Sequence, residues 1–374
     1  MNQVLIPPRR FRAKTRDSFT FDSAFRTIDA AGNQLGRKLE HAFKTHDGKR
    51  TVDSTGAFMV GELERLDMTL HEPLAAVTWS RDIDLREDVT IADEVSSFTL
   101  STFGSAGSTG SGNGIGNGKA WIGKNTDQVT GVSADIAKIP HQLRPWAMEL
   151  KYTILELESA AKLGRPIDQQ KYEGLQLKHQ MDIDEQVYIG DTGTGDTGLV
   201  NNSLVTNVSN LPNGASGFSQ WSKKTADEIL ADVNTMLTSV WQAAAWAVMP
   251  DRLLLPPAQF GYISTQKVSS AGNVSILRYI MENNLLTTSG KGQLTILPVK
   301  WCIGSGVGGT IGTTGTVDRA VVYVKDKKRV RFPMTLLNRT PIQYDSIYHK
   351  TTYFCRLGAV EVVYPEVVGY FDGL

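Results

Sequence analysis

A glycine-rich stretch constrains this chain more than any other feature of its sequence. Residues 104–123 hold eight glycines in twenty positions, and such a composition packs no core and behaves as a flexible loop. Residues of β-type composition flank the stretch on both sides, over 95–103 and 127–136. Strand, glycine-rich loop and strand in this order predict a long β-hairpin with a flexible tip, which we assign to residues 95–140.

Length and composition describe a large globular chain. It has 374 residues, of which 41% are apolar, with 39 basic and 39 acidic side chains. This length exceeds a typical domain of about 100 to 200 residues, so we expect two packed lobes or one domain with long arms. The apolar fraction excludes a disordered chain. The zero net charge disfavours a protein whose whole surface binds nucleic acid.

Charge is unevenly distributed along the chain. Residues 1–50 hold eleven basic and five acidic side chains, a net charge of +6, whereas residues 51–98 hold eleven acidic and three basic ones, a net charge of −8. Prolines and turn signals predict an extended N-terminal arm, residues 1–57, followed by an acidic connecting segment, residues 58–94. The arm of one copy lying on the acidic face of another accounts for this pattern; two separately solvated charge runs are the alternative.

Helical periodicity begins after Pro145. The pattern predicts helices over 148–163, 166–189, 226–246 and 274–282, and strands over 252–255, 294–303, 319–325, 329–335 and 350–363. At about 1.5 Å per residue the second helix is roughly 35 Å long, which makes it the spine of its lobe. We therefore predict an α+β chain with a helical lobe over 141–205, a mixed lobe over 206–345 and a return over 346–374.

Three glycine motifs invite a nucleotide-binding interpretation, and each fails the test of context. The stretch 118–125 is one residue short of a phosphate-binding loop and is followed by a strand pattern, where that loop needs a helix. The motifs at 193–198 and 304–309 match GxGxxG, but neither stands between a strand and a helix. We interpret all three as loops.

The remaining reactive residues form no catalytic or metal-binding pattern. Cys302 and Cys355 are far apart and predict buried free thiols. The six histidines form no cluster, and His179 on the spine helix predicts a packed or interfacial side chain. We predict no catalytic residue, no cofactor and no metal. The sequence also contains no secretion signal and no membrane-spanning run, which predicts a protein that stays in a cytosol-like compartment without a membrane partner.

One basic cluster, Lys325–Arg331, has five basic side chains and one acid between two β-type stretches. A solvated turn whose charges protect a sheet edge is one interpretation. A patch that faces nucleic acid or an acidic neighbour is the other.

Taken in order, these segments resemble the major capsid proteins of tailed bacteriophages with the HK97-like fold. The resemblance covers roughly residues 58–374 and depends on the order of the pieces. The pieces that carry it are 58–67, 116–123, 132–137, 152–161, 184–191, 197–201, 356–365 and 370–374. In the terms of that family, 95–140 is the extended loop, 141–205 the peripheral domain with its spine helix, and 206–345 the axial domain.

The resemblance implies a shell subunit. Copies form pentamers and hexamers and close an icosahedral virion head around double-stranded DNA, bound without sequence specificity, after synthesis in the host cytoplasm. Portal, scaffolding and decoration proteins are the implied further partners. We see no motif for the lysine–asparagine cross-link of some members, so boiled, reduced particles are expected to run as a single band of 41 kDa.

Charge segregation and the loop position together predict the side chains that meet other copies of the chain. They are Arg9, Arg10, Arg12, Arg16, Glu62, Glu64, Asp82, Asp84, Glu87, Asp88, Lys119 and Lys124. An encapsulin-type nanocompartment shell, which encloses an enzyme instead of a genome, is the alternative with the same fold. A nucleotide-binding enzyme and a tail or fibre component are further alternatives.

Overall fold

The structure is a computed structural model, and it describes residues 75–105, 124, 132–163, 167–191, 193–269 and 272–374. These residues belong to one compact unit, Glu72–Leu374. In chain order the strands are β1 Asp84–Arg86, β2 Val95–Ser105, β3 Val132–Gln142, β4 Arg144–Thr153, β5 Val208–Asn210, β6 Arg252–Leu255, β7 Thr295–Pro298, β8 Arg319–Tyr323, β9 Val330–Pro333, β10 Asn338–Arg339, β11 Gln343–Asp345, β12 Tyr348–Leu357, β13 Glu361–Val362 and β14 Val368–Asp372.

Seven α-helices accompany these strands in the described residues. They are α1 Trp79–Asp82, α2 Ile154–Leu163, α3 Ile167–Tyr188, α4 Ala226–Ala243, α5 Pro257–Thr265, α6 Ile276–Asn283 and α7 Leu285–Thr288. Short 3₁₀ turns cover Trp221–Lys223, Lys300–Cys302 and Pro365–Val367. Helices and mixed sheets alternate without a regular βαβ order, so the α+β class is confirmed.

A five-stranded sheet of order β5-β14-β8-β6-β7 forms the centre of the unit. Alternate residues of β8 face opposite sides: Val321 and Tyr323 join the core beneath α3, whereas Val322 joins the core beneath α4. Both faces of the sheet are therefore covered by helices. This explains why Leu253 and Leu254 of β6 are both fully buried and read as a continuous apolar run.

Helix α4 forms because its sequence supplies both a cap and an apolar face. Thr225 and Glu228 make a capping box at its start, and its buried side chains recur on one face toward the sheet. The helix was predicted to extend to Trp246 but ends at Ala243. Ala245 and Trp246 adopt positive φ values of 51° and 63°, which no α-helix accommodates.

The spine helix α3 was predicted over 166–189 and is confirmed as Ile167–Tyr188. The helix predicted over 148–163 is partly wrong, because Met148–Thr153 belong to β4. All ten residues of β4 pair antiparallel with β12, about two hundred residues later in the chain. The side chains of β4 alternate between exposed and half-buried from Arg144 to Glu149, as a strand with one covered face requires.

A hairpin and a small sheet complete the fold. Strands β2 and β3 pair antiparallel from Val95↔Gln142 to Ser105↔Val132, which confirms the predicted hairpin at its base; the tip lies outside the described residues. The small sheet has the order β1-β9-β13, and β1 runs parallel to β9. The strand predicted over 294–303 is shorter than expected, because a 3₁₀ turn replaces it from Lys300.

Candidate assembly surfaces

One short part of the acidic connecting segment, strand β1, lies against the basic cluster of its own chain. Strand β1 lies beside β9 with Asp84 opposite Arg331. Lys325 Nζ lies 3.5 Å from Asp84 Oδ1 and donates to the Arg81 carbonyl at 2.8 Å. Lys325 of the basic cluster therefore lies beside an acid of its own subunit, whereas Lys327 and Lys328 of the cluster are exposed.

Asp184 of the spine helix holds the start of the described chain. Its fully buried carboxylate accepts hydrogen bonds from the Thr78 backbone N–H at 2.8 Å, the Trp79 backbone N–H at 3.1 Å and Trp301 Nε1 at 2.7 Å. Three donors from two separate parts of the chain replace the water that this carboxylate lost on burial. The segment before β1 is thereby fixed across the spine helix.

Asp82 forms a second buried contact, which differs from the prediction made for it. Its carboxylate accepts from the Tyr188 hydroxyl and pairs with Arg81 Nε at 2.7 Å, and its carbonyl accepts from the Tyr323 hydroxyl at 2.6 Å. Burial, together with the Asp82 carboxylate, raises the pKa of Tyr188, so the phenol remains a donor. Asp82 is fully buried and so does not meet another copy.

Glu361 joins the connecting segment to the base of the hairpin. This fully buried carboxylate pairs with Arg331 Nε at 2.7 Å and with Arg86 at 3.2 Å, and it accepts from the Ser96 hydroxyl. Ser96 lies on β2, Arg86 on β1 and Arg331 on β9. One carboxylate thus ties the root of the hairpin to the small sheet.

The other predicted contact residues have mixed positions. Glu87 and Asp88 are exposed, Asp84 is half-buried, and Lys124 is exposed. Asp88 pairs with Arg86 at 2.8 Å. The remaining predicted residues lie outside the described residues: Arg9, Arg10, Arg12, Arg16, Glu62, Glu64 and Lys119.

Exposed apolar side chains form surfaces that the sequence did not indicate. Leu336 in the connection before β10 is 80% exposed, Tyr344 of β11 is 72% exposed, and Leu155 at the start of α2 is 66% exposed. Single apolar residues on a surface are ordinary, whereas several on one lobe indicate a contact. No local pattern marks these positions, because exposure depends on strand pairing between distant segments.

The glycines of the two GxGxxG loops allow backbone segments to pack closely against each other. A Cβ on Gly198 would lie 2.3 Å from the Tyr188 carbonyl oxygen, and one on Gly304 would lie 2.1 Å from the Thr310 carbonyl oxygen. Close backbone approach, which only glycine permits, explains these positions. Residues 304–318 contain no helix before β8, in agreement with the loop interpretation.

The thiols and His179 are packed, as predicted. Cys302 and Cys355 are buried and free, and burial raises the pKa of Cys355 to about 12. His179 lies 3.3 Å from Cys355 Sγ and 4.7 Å from the Trp146 ring centre. In the part of the chain that the structure describes, no three His, Cys, Asp or Glu residues are placed to hold a metal ion. No helix there is long and apolar enough to cross a membrane.

Comparison with known proteins gives one family and several structures. The sequence profile of the family described as major capsid protein matches residues 118–374. The capsid of Myoviridae phage XM1 is similar, with a TM-score of 0.63 and 18% identity over 84% of this chain and 98% of that one. A structure from Mycobacterium phage Adephagia has a TM-score of 0.53 and 11% identity over 86% and 98%.

A shell protein of another kind is also similar. The holo-SrpI encapsulin complex from Synechococcus elongatus PCC 7942 has a TM-score of 0.50 and 11% identity over 85% of this chain and 95% of that one. None of the curated proteins matches the chain.

The hairpin, spine helix and central sheet, in this order and with these neighbours, define a shell subunit with the HK97-like fold. The family match covers well over half of the sequence, from the hairpin tip to the last residue. The chain belongs to the major capsid protein family, and it is a structural subunit of a bacteriophage capsid shell.

Proposed function

We propose that copies of this chain assemble into pentamers and hexamers that close an icosahedral virion head around double-stranded DNA. One observation carries the proposal most directly: the hairpin β2–β3 has a fixed base and exposed faces. Residues 134–138 of β3 are exposed, as are Thr99 and Ser101 of β2. An isolated two-stranded hairpin is only marginally stable in water, so this one requires a surface to lie on. A neighbouring copy provides that surface.

Charge supports the same arrangement. The +6 arm, residues 1–50, and the exposed acids of the connecting segment carry opposite signs. Within the subunit, Asp82 is buried against Arg81 and Asp84 lies beside Lys325, so Glu87 and Asp88 are the predicted contact acids of the described part that are exposed to a neighbouring copy. The other side chains proposed to contact neighbouring copies belong to the arm, the connecting segment and the loop tip. They are Arg9, Arg10, Arg12, Arg16, Glu62, Glu64, Lys119 and Lys124.

The proposed role is structural and requires no catalysis and no cofactor. The subunit is made in the host cytoplasm and becomes part of the virion head. Double-stranded DNA is enclosed without sequence-specific contacts, in keeping with the zero net charge of the chain. Portal, scaffolding and decoration proteins are the proposed further partners.

An encapsulin-type nanocompartment is the second candidate, favoured by the similarity to the SrpI structure. Such a shell encloses an enzyme, so the content of the particle distinguishes the two functions. Particles recovered from the bacterium that naturally produces the chain are treated with nuclease and examined for protected nucleic acid.

For a phage head we expect long nuclease-resistant double-stranded DNA and a high ratio of nucleic-acid to protein absorbance. Shells without nucleic acid that contain a second protein at high copy number would establish the nanocompartment instead.

A further inference from the structure

A groove lies between the base of the β2–β3 hairpin and the C-terminal end of α4. Its volume is about 590 Å³. Its apolar lining comes from three parts of the chain and includes Leu100, Ala243, Ala247, Val248, Val363 and Val367. Tyr364 also lines the groove and is 48% exposed. A concave apolar surface beside the hairpin root is suited to take a protein segment.

The turn at one rim of this groove is strained and displays an aromatic side chain. Trp246 follows the lining residue Ala244, has a φ of 63° and is 51% exposed. Trp241 Nε1 donates to the Trp246 carbonyl at 2.9 Å, and the two indole rings lie 4.6 Å apart at their centres. A bulky residue in the left-handed region is uncommon away from functional positions, and exposed tryptophans are enriched in protein contacts.

The other rim of the groove is basic. Lys328 and Arg329 line it, and Lys327 precedes them. Arg329 pairs with Asp326, whereas Lys327 and Lys328 are exposed and make no ion pair with any described residue. One acid, Glu366, also lines the groove. Two exposed lysines that pair with no described acid, beside an apolar groove, favour an occupant that is both apolar and acidic.

The chain itself contains such a segment at residues 87–94. Its acids Glu87, Asp88, Asp93 and Glu94 are exposed, and Val89 and Ile91 between them are half-buried. The N-terminal arm carries a net charge of +6 over residues 1–50, the same sign as the basic rim, and is therefore disfavoured as the occupant.

This acidic segment and the basic rim lie at opposite ends of the same pair of strands. Strands β1 and β9 are parallel, with Asp84 opposite Arg331 and Arg86 opposite Pro333. Residues 327–328 precede β9, whereas residues 87–94 follow β1, and none of the latter lines the groove. Two different surfaces at opposite ends permit a head-to-tail contact, the kind that closes into a ring.

We propose that the groove binds residues 87–94 of a second copy of this chain, and that this contact joins successive subunits within one ring. The inference rests on the proposed assembly into pentamers and hexamers and names two surfaces that meet there. Lys327 and Lys328 pair with the acids of the incoming segment, and Val89 and Ile91 contact the apolar lining.

Paired cysteines test the contact in assembled particles. Glu87→Cys and Lys328→Cys are introduced together and linked by mild oxidation or a short bis-maleimide; the native Cys302 and Cys355 are buried and do not compete. We expect a non-reducing gel to show a ladder of multiples of 41 kDa that ends at five and six chains.

Each single-cysteine variant is expected to run as a monomer on the gel. The matched control combines Glu87→Cys with Lys267→Cys and should also run as a monomer, because Lys267 is exposed but does not line the groove. Closed shells without a ladder would overturn the inference, and so would dimers alone, which indicate a two-fold contact. Absence of shells from the parent chain would instead contradict the proposed function.

Charge exchange provides a second measurement. Lys327→Glu with Lys328→Glu is expected to abolish shells while the subunit keeps the unfolding midpoint of the parent. Adding Glu87→Lys with Glu94→Lys to the same chain restores the opposite charges and the shells. Normal shells from the first variant, or failure of the second to recover them, would contradict the contact.

Discussion

At the scale of single residues, buried carboxylates determine how the chain enters the shell subunit. Asp184 binds the segment before β1, Asp82 joins that segment to Tyr188 of α3, and Glu361 binds β1, β9 and the hairpin root. Each is fully buried, and each has partners from segments far away in the sequence. The segment before β1 and the root of the hairpin are therefore held in fixed positions, as a repeated contact between copies requires.

Glu361→Gln tests the contact at the hairpin root. The amide retains the shape but leaves Arg331 without its carboxylate partner and Arg86 with Asp88 alone, and we expect unfolding to become easier by about 3 kcal/mol, the lower end of the range for a broken buried pair. The lower end applies because the two arginines are 17% and 20% exposed.

Urea-unfolding curves of parent and variant in the same assembly state measure the change. Glu282→Gln, which removes an exposed partner of Arg278, is the matched control and should leave the midpoint unchanged. Equal midpoints for Glu361→Gln and the parent would show that the contact contributes nothing to the free energy of unfolding.

His179 predicts a dependence of stability on pH. Burial lowers the pKa of His179, although Asp182 acts in the opposite direction. A histidine whose folded pKa lies below its unfolded value stabilises the fold fully above about pH 6.5 and loses that contribution as the pH falls toward the folded value.

His179→Gln should therefore lose less stability than the parent between about pH 7.5 and about pH 5, a window set by the ordinary histidine pKa. Thermal unfolding at both values measures the difference, and the five other histidines are common to both chains. An identical loss in the two chains would contradict this account of His179.

Residue-level contacts were the hardest part to predict. The charge pattern marked Asp82 and Asp84 as acids that need basic partners, but it placed those partners on another copy. The basic partner of Asp84 is Lys325, more than two hundred residues later in the chain, and that of Asp82 is the adjacent Arg81. The charge of Asp84 predicts that its partner is basic. Which basic residue lies beside it depends on the pairing of β1 with β9, which the sequence does not reveal.

At the scale of elements, the end of the spine helix shows how a glycine fixes a turn. Helix α3 ends at Tyr188, and the chain returns so that the Gly198 backbone N–H donates to the Ile189 carbonyl at 3.0 Å. The two backbones pass so closely that no side chain fits between them. This turn directs the chain from the spine helix into the central sheet.

Gly198→Ala should destabilise the fold by at least about 2 kcal/mol, because its Cβ would lie 2.3 Å from a backbone oxygen that cannot move alone. Gly174→Ala is the matched control: Gly174 is exposed within α3 with open space around it, and alanine there should stabilise by roughly 0.5–1 kcal/mol. Unfolding midpoints measure both, and equal effects of the two substitutions would refute the argument.

Elements with local signals were predicted well. Helix α4 has its capping box and apolar face within its own sequence, and β6 has an apolar run bounded by prolines. The residues 148–153 carry no such signal, since they form a strand only by pairing with β12. The order of the elements, more than any single one, led to the correct family.

At the scale of the whole molecule, the zero net charge is the sum of segments with opposite charges, +6 over residues 1–50 and −8 over residues 51–98 among them. Some acids of the connecting segment are neutralised within the subunit, and others face outward. A shell built from one repeated chain needs complementary surfaces on every copy, because each copy is both donor and acceptor of the same contact. The exposed acids of residues 87–94 and the exposed lysines at the basic rim of the groove meet that requirement.

Deletion of residues 1–50 tests the role proposed for the basic arm. The compact unit begins after the deleted segment, so we expect a folded subunit with the parent's unfolding midpoint. Loss of six net positive charges should prevent assembly with correct curvature. A chain with the eleven basic residues of the arm replaced by glutamine controls for length, and normal particles from either variant would contradict the proposal.

Electron microscopy of the purified full-length protein tests the central claim most directly. A capsid subunit of this fold should form closed icosahedral shells in which pentamers and hexamers are visible, with the β2–β3 hairpin lying on a neighbouring copy. A uniform population of monomers or small oligomers, under conditions where the protein is folded, would contradict it.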